Sequence, residues 1–86
     1  MTNPYPHLTL DQSAIYCFKI QGRIEDTWSD FLKDVTFQHE RQENGSTVTI
    51  VDGTVADQAS LHGLLNRIRD LGLPLLLVEL VRTANP

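Results

Sequence analysis

Apolar residues recur at helical spacing in the second half of the chain, and this pattern predicts an amphipathic helix. The apolar stripe consists of Leu61, Leu64, Leu65, Ile68 and Leu71. Thr54, with Asp57 three positions later, fits a capping box at the start of the helix. Asp57 could equally be the N-cap itself, which would start the helix later.

The end of this helix is marked by a glycine and a proline. Gly72 stands where a left-handed residue ends a helix, and Leu73 can fold back onto Ile68 as in a Schellman motif. Pro74 prevents the helix from continuing. Residues 75–81 are apolar apart from Glu79, which predicts a strand covered on both faces.

The first half of the chain predicts a strand followed by a shorter helix. Residues 14–21 are rich in aromatic and β-branched side chains, which favour a strand, and Gly22 closes it. Thr27 and Asp30 repeat the spacing of a capping box. The apolar residues that give this short helix its face are Trp28, Phe31, Leu32 and Val35.

Asn44-Gly45 predicts a two-residue type I′ hairpin turn between strands at 36–42 and 47–52. The resulting register places Phe37 and His39 on the same face as Val48 and Ile50. A single long helix over residues 28–43 is the competing interpretation, since Val35 and His39 continue the helical spacing. The hairpin is favoured because Phe37 would lie off the apolar face of that helix.

These elements predict an α+β fold of the ferredoxin-like type, with the order β-α-β-β-α-β. Two helices would cover one face of a four-stranded antiparallel sheet, in which the first and last strands are neighbours. We expect a loose N-terminal arm at residues 1–12, a single domain at 13–82 and a C-terminal tail at 83–86.

Composition excludes several classes of function. The 86 residues are enough for one domain, and the net charge of −4 argues against nucleic acid or an anionic membrane as a partner. The single cysteine, Cys17, excludes an internal disulfide and multi-cysteine metal sites, and it fits a reducing compartment. With no apolar run of membrane-spanning length and no signal-peptide pattern, we expect a cytoplasmic protein without a cofactor.

Several motifs together resemble a family of short, uncharacterised bacterial proteins. They are Gly22, Trp28, the Asn44-Gly45 hairpin and the pattern DQxxLHGLLxxIRDLGL, which runs from Asp57 to Leu73. The resemblance covers roughly residues 14–81. It implies a ferredoxin-like fold and brings no activity or cofactor with it.

Other ferredoxin-like families fit less well. Residues 20–24 are superficially similar to the start of an acylphosphatase, but the acidic loop at 25–27 is unsuited to holding a phosphate. RNA-recognition modules need stacking aromatics where the third strand offers Thr47, Thr49 and Val51. Metal chaperones need a C-x-x-C motif, which is absent. The helix is similar to the Gly-Leu-Leu helix of ACT-type regulatory domains, which dimerise around a small ligand.

The main helix also carries the candidate binding residues. Gln58, His62 and Arg69 lie along one flank, where they could contact a ligand or partner, or simply face solvent. Gly63 lies on the outward side of the helix, where glycine lowers helix stability by about 1 kcal/mol relative to alanine. Either this cost is tolerated, or the glycine marks a close approach by another backbone.

The open face of the predicted sheet indicates self-association. The apolar residues expected to point away from the helices are Ile15, Cys17, Val51, Leu75, Leu77 and Val81. Lys19 and Glu79 would lie among them as a cross-strand pair. Such a patch is larger than a soluble monomer usually exposes, so it predicts a homodimer through the sheets.

Together these patterns favour a non-enzymatic interaction or regulatory module that acts as a homo-oligomer, with ACT-like binding of a small ligand as one form of it. The alternative is a small cofactor-free enzyme in which His62 or His39 serves as the general base.

Overall fold

A computed structural model of the chain describes residues 8–24 and 28–83. Its elements are β1 (Ala14–Gln21), β2 (Leu32–Arg41), β3 (Thr47–Val55), α1 (Gln58–Asp70) and β4 (Leu75–Thr83). The strands form one antiparallel sheet in the order β2-β3-β1-β4. The predicted antiparallel four-stranded sheet is therefore present, and its first and last strands are neighbours.

The ferredoxin-like arrangement with two helices is wrong, because the order is β-β-β-α-β. In place of the first helix the chain makes a single turn, in which the N–H groups of Phe31 and Leu32 both donate to the Trp28 carbonyl at 2.9 and 3.0 Å. Positive φ angles of 50° at Trp28 and 53° at Asp34 leave the helical region on both sides of this turn. Thr27, the predicted cap, lies outside the described residues.

The long-helix interpretation of residues 28–43 is wrong for the same reason, since β2 begins at Leu32 and extends to Arg41. The apolar spacing that resembled a helical face is instead divided between the turn and the strand. Val35 and Thr36 are β-branched, and such residues favour a strand over a helix.

The hydrophobic core lies on one side of the sheet, here called the core face, and the opposite side is the open face. Tyr16, Phe18 and Ile20 of β1 are buried on the core face. The other buried hydrophobic residues of this cluster are Ala14, Ile24, Trp28, Leu32, Val51, Val55, Leu61, Leu64 and Ile68. Among the described residues, α1 and the connection from β1 to β2 both cover the core face, and Leu8 ahead of β1 packs against the same cluster.

The hairpin between β2 and β3 is present, but its turn has three residues rather than two. The Gln42 N–H donates to the Ser46 carbonyl at 2.7 Å, and Gly45 takes a φ of 88°. Asn44 keeps a negative φ, so the type I′ turn does not form. This adds one residue to the loop and changes the register of the two strands by one position.

The change of register reverses which side chains face the core. Phe37 pairs with Val51 and His39 with Thr49, so the predicted grouping of Phe37 and His39 with Val48 and Ile50 is wrong. A shift of one residue moves every side chain of a strand to the other face. Val51 is accordingly in the core, with 0% of its surface exposed.

The helix α1 starts at the later of the two predicted positions. Asp57 is the N-cap, and its carboxylate accepts from the Ser60 N–H at 2.8 Å, whereas Thr54 belongs to β3, so the predicted capping box does not form. At the other end Gly72 has a φ of 74° and donates to Arg69, while the Leu73 N–H donates to the Ile68 carbonyl at 3.4 Å. This pair of bonds is the predicted Schellman motif.

The two termini are described only in part. Residues 8–12 form a turn ahead of β1, and the Leu10 carbonyl accepts from the Gln58 N–H at 2.9 Å. Residues 1–7 of the predicted arm and 84–86 of the predicted tail lie outside the described residues.

Candidate interaction surface

The predicted polar flank of α1 consists of side chains with different environments. The Gln58 amide is half-buried and donates to the Tyr16 hydroxyl at 3.0 Å, which ties the start of the helix to the sheet. His62 is exposed. Arg69 is exposed as well, and its guanidinium lies 3.6 Å from the carboxylate of Asp70, the next residue. Gln58 thus has a structural contact, and His62 and Arg69 face solvent.

Gly63 is explained by a close approach within the chain. A Cβ atom built at this position would lie 3.0 Å from Cε1 of Phe31, which is tighter than ordinary packing. Phe31 belongs to the turn that replaces the predicted first helix. The glycine therefore accommodates an aromatic side chain of this chain, whereas the sequence pattern indicated either a tolerated cost or an approaching backbone.

The two histidines considered as general bases lie in different places. His39 is exposed on β2, and its Nε2 lies 3.1 Å from the Ile24 carbonyl, to which it can donate in the matching tautomer. His62 is on the outward side of α1. The described residues contain no group of three or more histidine, cysteine, aspartate or glutamate side chains placed to hold a metal, and they enclose no detectable cavity.

Cys17 lies on the open face, half-buried between the two neighbouring strands. It pairs with Asp52 on β3 and with Glu79 on β4. Burial, together with the hydrogen bond to Asp52 and the negative charge of that carboxylate, raises the pKa of the thiol to about 11. The thiol is therefore protonated at neutral pH, unlike the low-pKa cysteines that act as nucleophiles.

The predicted open-face patch is only partly present. Ile15, Cys17 and Leu77 lie on the open face, since they alternate with the core residues of β1 or pair with Lys19. Val51 is in the core, and Leu75 pairs with the core residue Ile20, so the expected face was wrong for both. Lys19 pairs with Leu77, which places it diagonal to Glu79.

Two further apolar residues of the open face were missed. Val48 and Ile50 pair with Gln21 and Lys19, and each is 9% exposed. The hairpin register decides their face, so only the correct loop length could have revealed them. Val81 lies at an irregularity of β4, between the residues that pair with Tyr16 and Ile15.

The most exposed apolar surface is on β4. Six large hydrophobic residues are exposed among the described residues, and four of them belong to this strand. We call these four the β4 strip: Leu75 at 40%, Leu76 at 50%, Val78 at 38% and Val81 at 49%. The strand was expected to be covered on both faces. It is exposed because it forms an edge of the sheet, a position that its apolar composition does not reveal.

The opposite edge of the sheet has a different character. The strand β2 carries Lys33, Asp34, Glu40 and Arg41 at exposed positions, and its pairing with β3 is interrupted around Asp34. Charges and bulges are the usual means by which edge strands avoid pairing with other chains. The strand β4 has charges only at Glu79 and Arg82.

Over the described residues, these features define a small α+β domain in which a four-stranded antiparallel sheet is covered by one helix and by the connection from β1 to β2, with an apolar strand at its edge. Residues 15–79 match the family model described as a domain of unknown function, DUF8691, and the chain belongs to this family. The helix motif and the bacterial origin indicated by the sequence remain predictions. Comparisons with curated proteins and with solved structures found no match.

The helix of the described region has 13 residues, and it is neither long nor apolar enough to cross a membrane.

Proposed function

We propose that this domain is a non-enzymatic interaction module that functions as a homo-oligomer. The observation that carries the proposal is the β4 strip, because four large apolar side chains are exposed together on one edge strand. Burying apolar surface contributes about 25 cal/mol per Å², so covering such a strip favours association. Exposed apolar patches of this kind commonly mark protein–protein contacts.

The open face next to β4 supports the same function. Ile15, Cys17 and Leu77 are half-buried on that face, and they lie on β4 or on the strand beside it. Interfaces combine an apolar centre with a polar rim, and Lys19, Glu79 and Arg82 supply polar groups around these residues. The surface proposed for association therefore includes β4 and the adjoining part of the open face.

Small-ligand binding of the ACT type is not carried forward, because it depended on the two-helix ferredoxin-like arrangement. The enzymatic alternative needs a base beside a substrate site. His39 contacts a backbone carbonyl, and His62 projects from the outer side of the helix. Neither position adds support to catalysis, and the interaction module is the function that the exposed surface favours.

The test is the molar mass in solution, measured by sedimentation from low to high micromolar concentration. We expect the unchanged chain to form an oligomer, and Val81→Lys to reduce it to a monomer, because a charge would be placed within the apolar strip. Gln38→Lys introduces the same side chain on the opposite edge and should leave the mass unchanged. Circular dichroism checks that each variant is folded. A chain that is monomeric throughout would contradict the proposal.

A further inference from the structure

The outer side of β4 is an unpaired strand edge. The strand pairs with β1 on one side, and no other described strand lies next to it. Such an edge presents N–H and C=O groups that another strand can pair with. The other edge, β2, is protected by its charges, so an additional strand is favoured at β4.

The charges of β4 are complementary to those of a second copy of the same strand. The chain carries a net charge of −4, so two copies repel each other unless charges at their contact are matched. Glu79 and Arg82 are both exposed and have opposite sign. In a contact with two-fold symmetry, a residue i that meets j implies that j meets i. Pairing Glu79 with Arg82 therefore forms two attractive contacts at once.

An irregularity in β4 makes this pairing geometrically consistent. In a regular strand, residues three positions apart point to opposite faces. The register of β4 shifts between its contacts with Tyr16 and Ile15, so that Glu79 pairs with Cys17 and Arg82 with Ile15. Since Cys17 and Ile15 are two positions apart on β1, both charged residues lie on the open face.

Within residues 78–83 the same register also matches the other positions. With Glu79 opposite Arg82, an antiparallel second copy places Val78 opposite Thr83. These two share the core face, because they pair with Phe18 and Ala14 of β1. Leu80 and Val81 then meet at the apolar centre of the contact. Placing Glu79 opposite Glu79 would instead put like charges directly across from each other, which is unfavourable.

We propose that two copies associate edge to edge, with β4 of one antiparallel to β4 of the other and Glu79 of each copy opposite Arg82 of the other. The result is a continuous sheet that extends through both copies. This inference rests on the proposed function, and it specifies the partner strand and its register.

The first test reverses the charges. Glu79→Arg alone and Arg82→Glu alone should each weaken self-association by roughly tenfold, because two attractive pairs become repulsive. The double variant with both substitutions restores opposite charges and should recover the affinity of the unchanged chain. Lys33→Glu, on the strand β2 at the opposite edge of the sheet, is the matched control and should have a much smaller effect. Failure of the double variant to recover would overturn the proposed register.

The second test uses disulfide formation in a Cys17→Ser background. Directly opposed residues have Cα atoms about 4.5–5.5 Å apart, within the range a disulfide spans. A Val78→Cys chain mixed with a Thr83→Cys chain should form a crosslinked dimer on mild oxidation. The Val78→Cys chain by itself should not crosslink, because its cysteines are displaced from each other in this register.

The outcomes separate the two proposals. A monomeric unchanged chain would contradict both the proposed function and the edge contact. If the chain dimerises but a Leu77→Cys variant crosslinks to itself while the 78–83 pair does not, the copies meet through their open faces. Self-association would then stand, and the edge-to-edge arrangement would be wrong.

Discussion

Two segments cover the core face of the sheet, and they are held in place in different ways. The helix α1 satisfies most of its backbone internally and is closed by Asp57 at one end and Gly72 at the other. The connection from β1 to β2 depends on the sheet beneath it. Thr49 Oγ1 accepts from the Ile24 N–H at 3.2 Å and donates to the Gly22 carbonyl at 2.6 Å.

This difference determines what each segment needs from the rest of the chain. The contacts of the helix ends lie within a few residues, whereas Thr49 is 25 and 27 positions from the groups it binds. The end of the connection and the first residue of β2 also require space in their neighbours. A Cβ at Gly63 would lie 3.0 Å from Cε1 of Phe31, and one at Gly53 would lie 3.2 Å from Cβ of Leu32. The connection is therefore specified by tertiary contacts, and α1 largely by its own sequence.

The largest expected loss of stability comes from removing Trp28, the buried side chain that the connection contributes to the core. Trp28 is 2% exposed and packs beside Phe37, with ring centroids 6.2 Å apart. Trp28→Ala should lower the free energy of unfolding by about 3–5 kcal/mol, measured by urea denaturation. Such a loss approaches the whole stability of a small domain.

The control for Trp28 is Leu71→Ala at the end of α1, where the side chain is exposed and the loss should be small. A Trp28→Phe variant retains a large aromatic side chain and should be intermediate. If Trp28→Ala were no more destabilising than Leu71→Ala, the connection would not be part of the core.

A smaller effect is expected at the hydrogen bonds that hold the connection. Thr49→Val keeps the shape of this buried side chain but removes the acceptor for the Ile24 N–H and the donor to Gly22. Leaving buried backbone groups without partners costs about 1–3 kcal/mol. Thr47→Val, at the partly exposed start of the same strand, is the control. Equal stabilities for the two variants would contradict the role assigned to Thr49.

The contact between α1 and the connection is tested at Gly63. Alanine normally stabilises a helix interior by about 1 kcal/mol relative to glycine. Here Gly63→Ala should fail to gain that stability, because the new methyl group meets the Phe31 ring. In a Phe31→Leu background the gain should return. A double-mutant cycle measures this coupling, and additive effects would show that the two residues do not interact.

The sequence predicted the features that depend on local signals. The strand β1, the end of α1 and the existence of the hairpin were correct, as was the later of the two predicted starts of α1, because each rests on residues close together in the chain. The first helix was wrong because the spacing of Trp28, Phe31 and Leu32 fits a helical face as well as a turn packed onto a sheet. The contacts of Leu32 with Gly53 and of Phe31 with Gly63 favour the turn, and they join residues far apart in the chain.

The candidate surface was predictable to a smaller extent. Ile15, Cys17 and Leu77 were assigned to the correct face, since β1 alternates regularly and Leu77 lies opposite it. Val51 was misplaced by the one-residue error in the hairpin loop, and Leu75 by an irregularity in β4. Exposure of the β4 strip depends on strand order and on which core residues the helix covers, and neither is encoded in the strand itself.

The smallest expected change in stability concerns Asp57, the N-cap of α1, and its dependence on pH. The hydrogen bond from the Ser60 N–H lowers the pKa of Asp57 below its ordinary value. A carboxyl group with a lower pKa in the folded state stabilises the fold above its unfolded pKa, which is near 4. That contribution is lost as the pH falls through the folded-state pKa. Asp57→Asn retains a capping acceptor that does not titrate there. Urea denaturation at neutral and acidic pH should therefore show the unchanged chain losing slightly more stability than Asp57→Asn, and parallel losses would mean that Asp57 acts through shape alone.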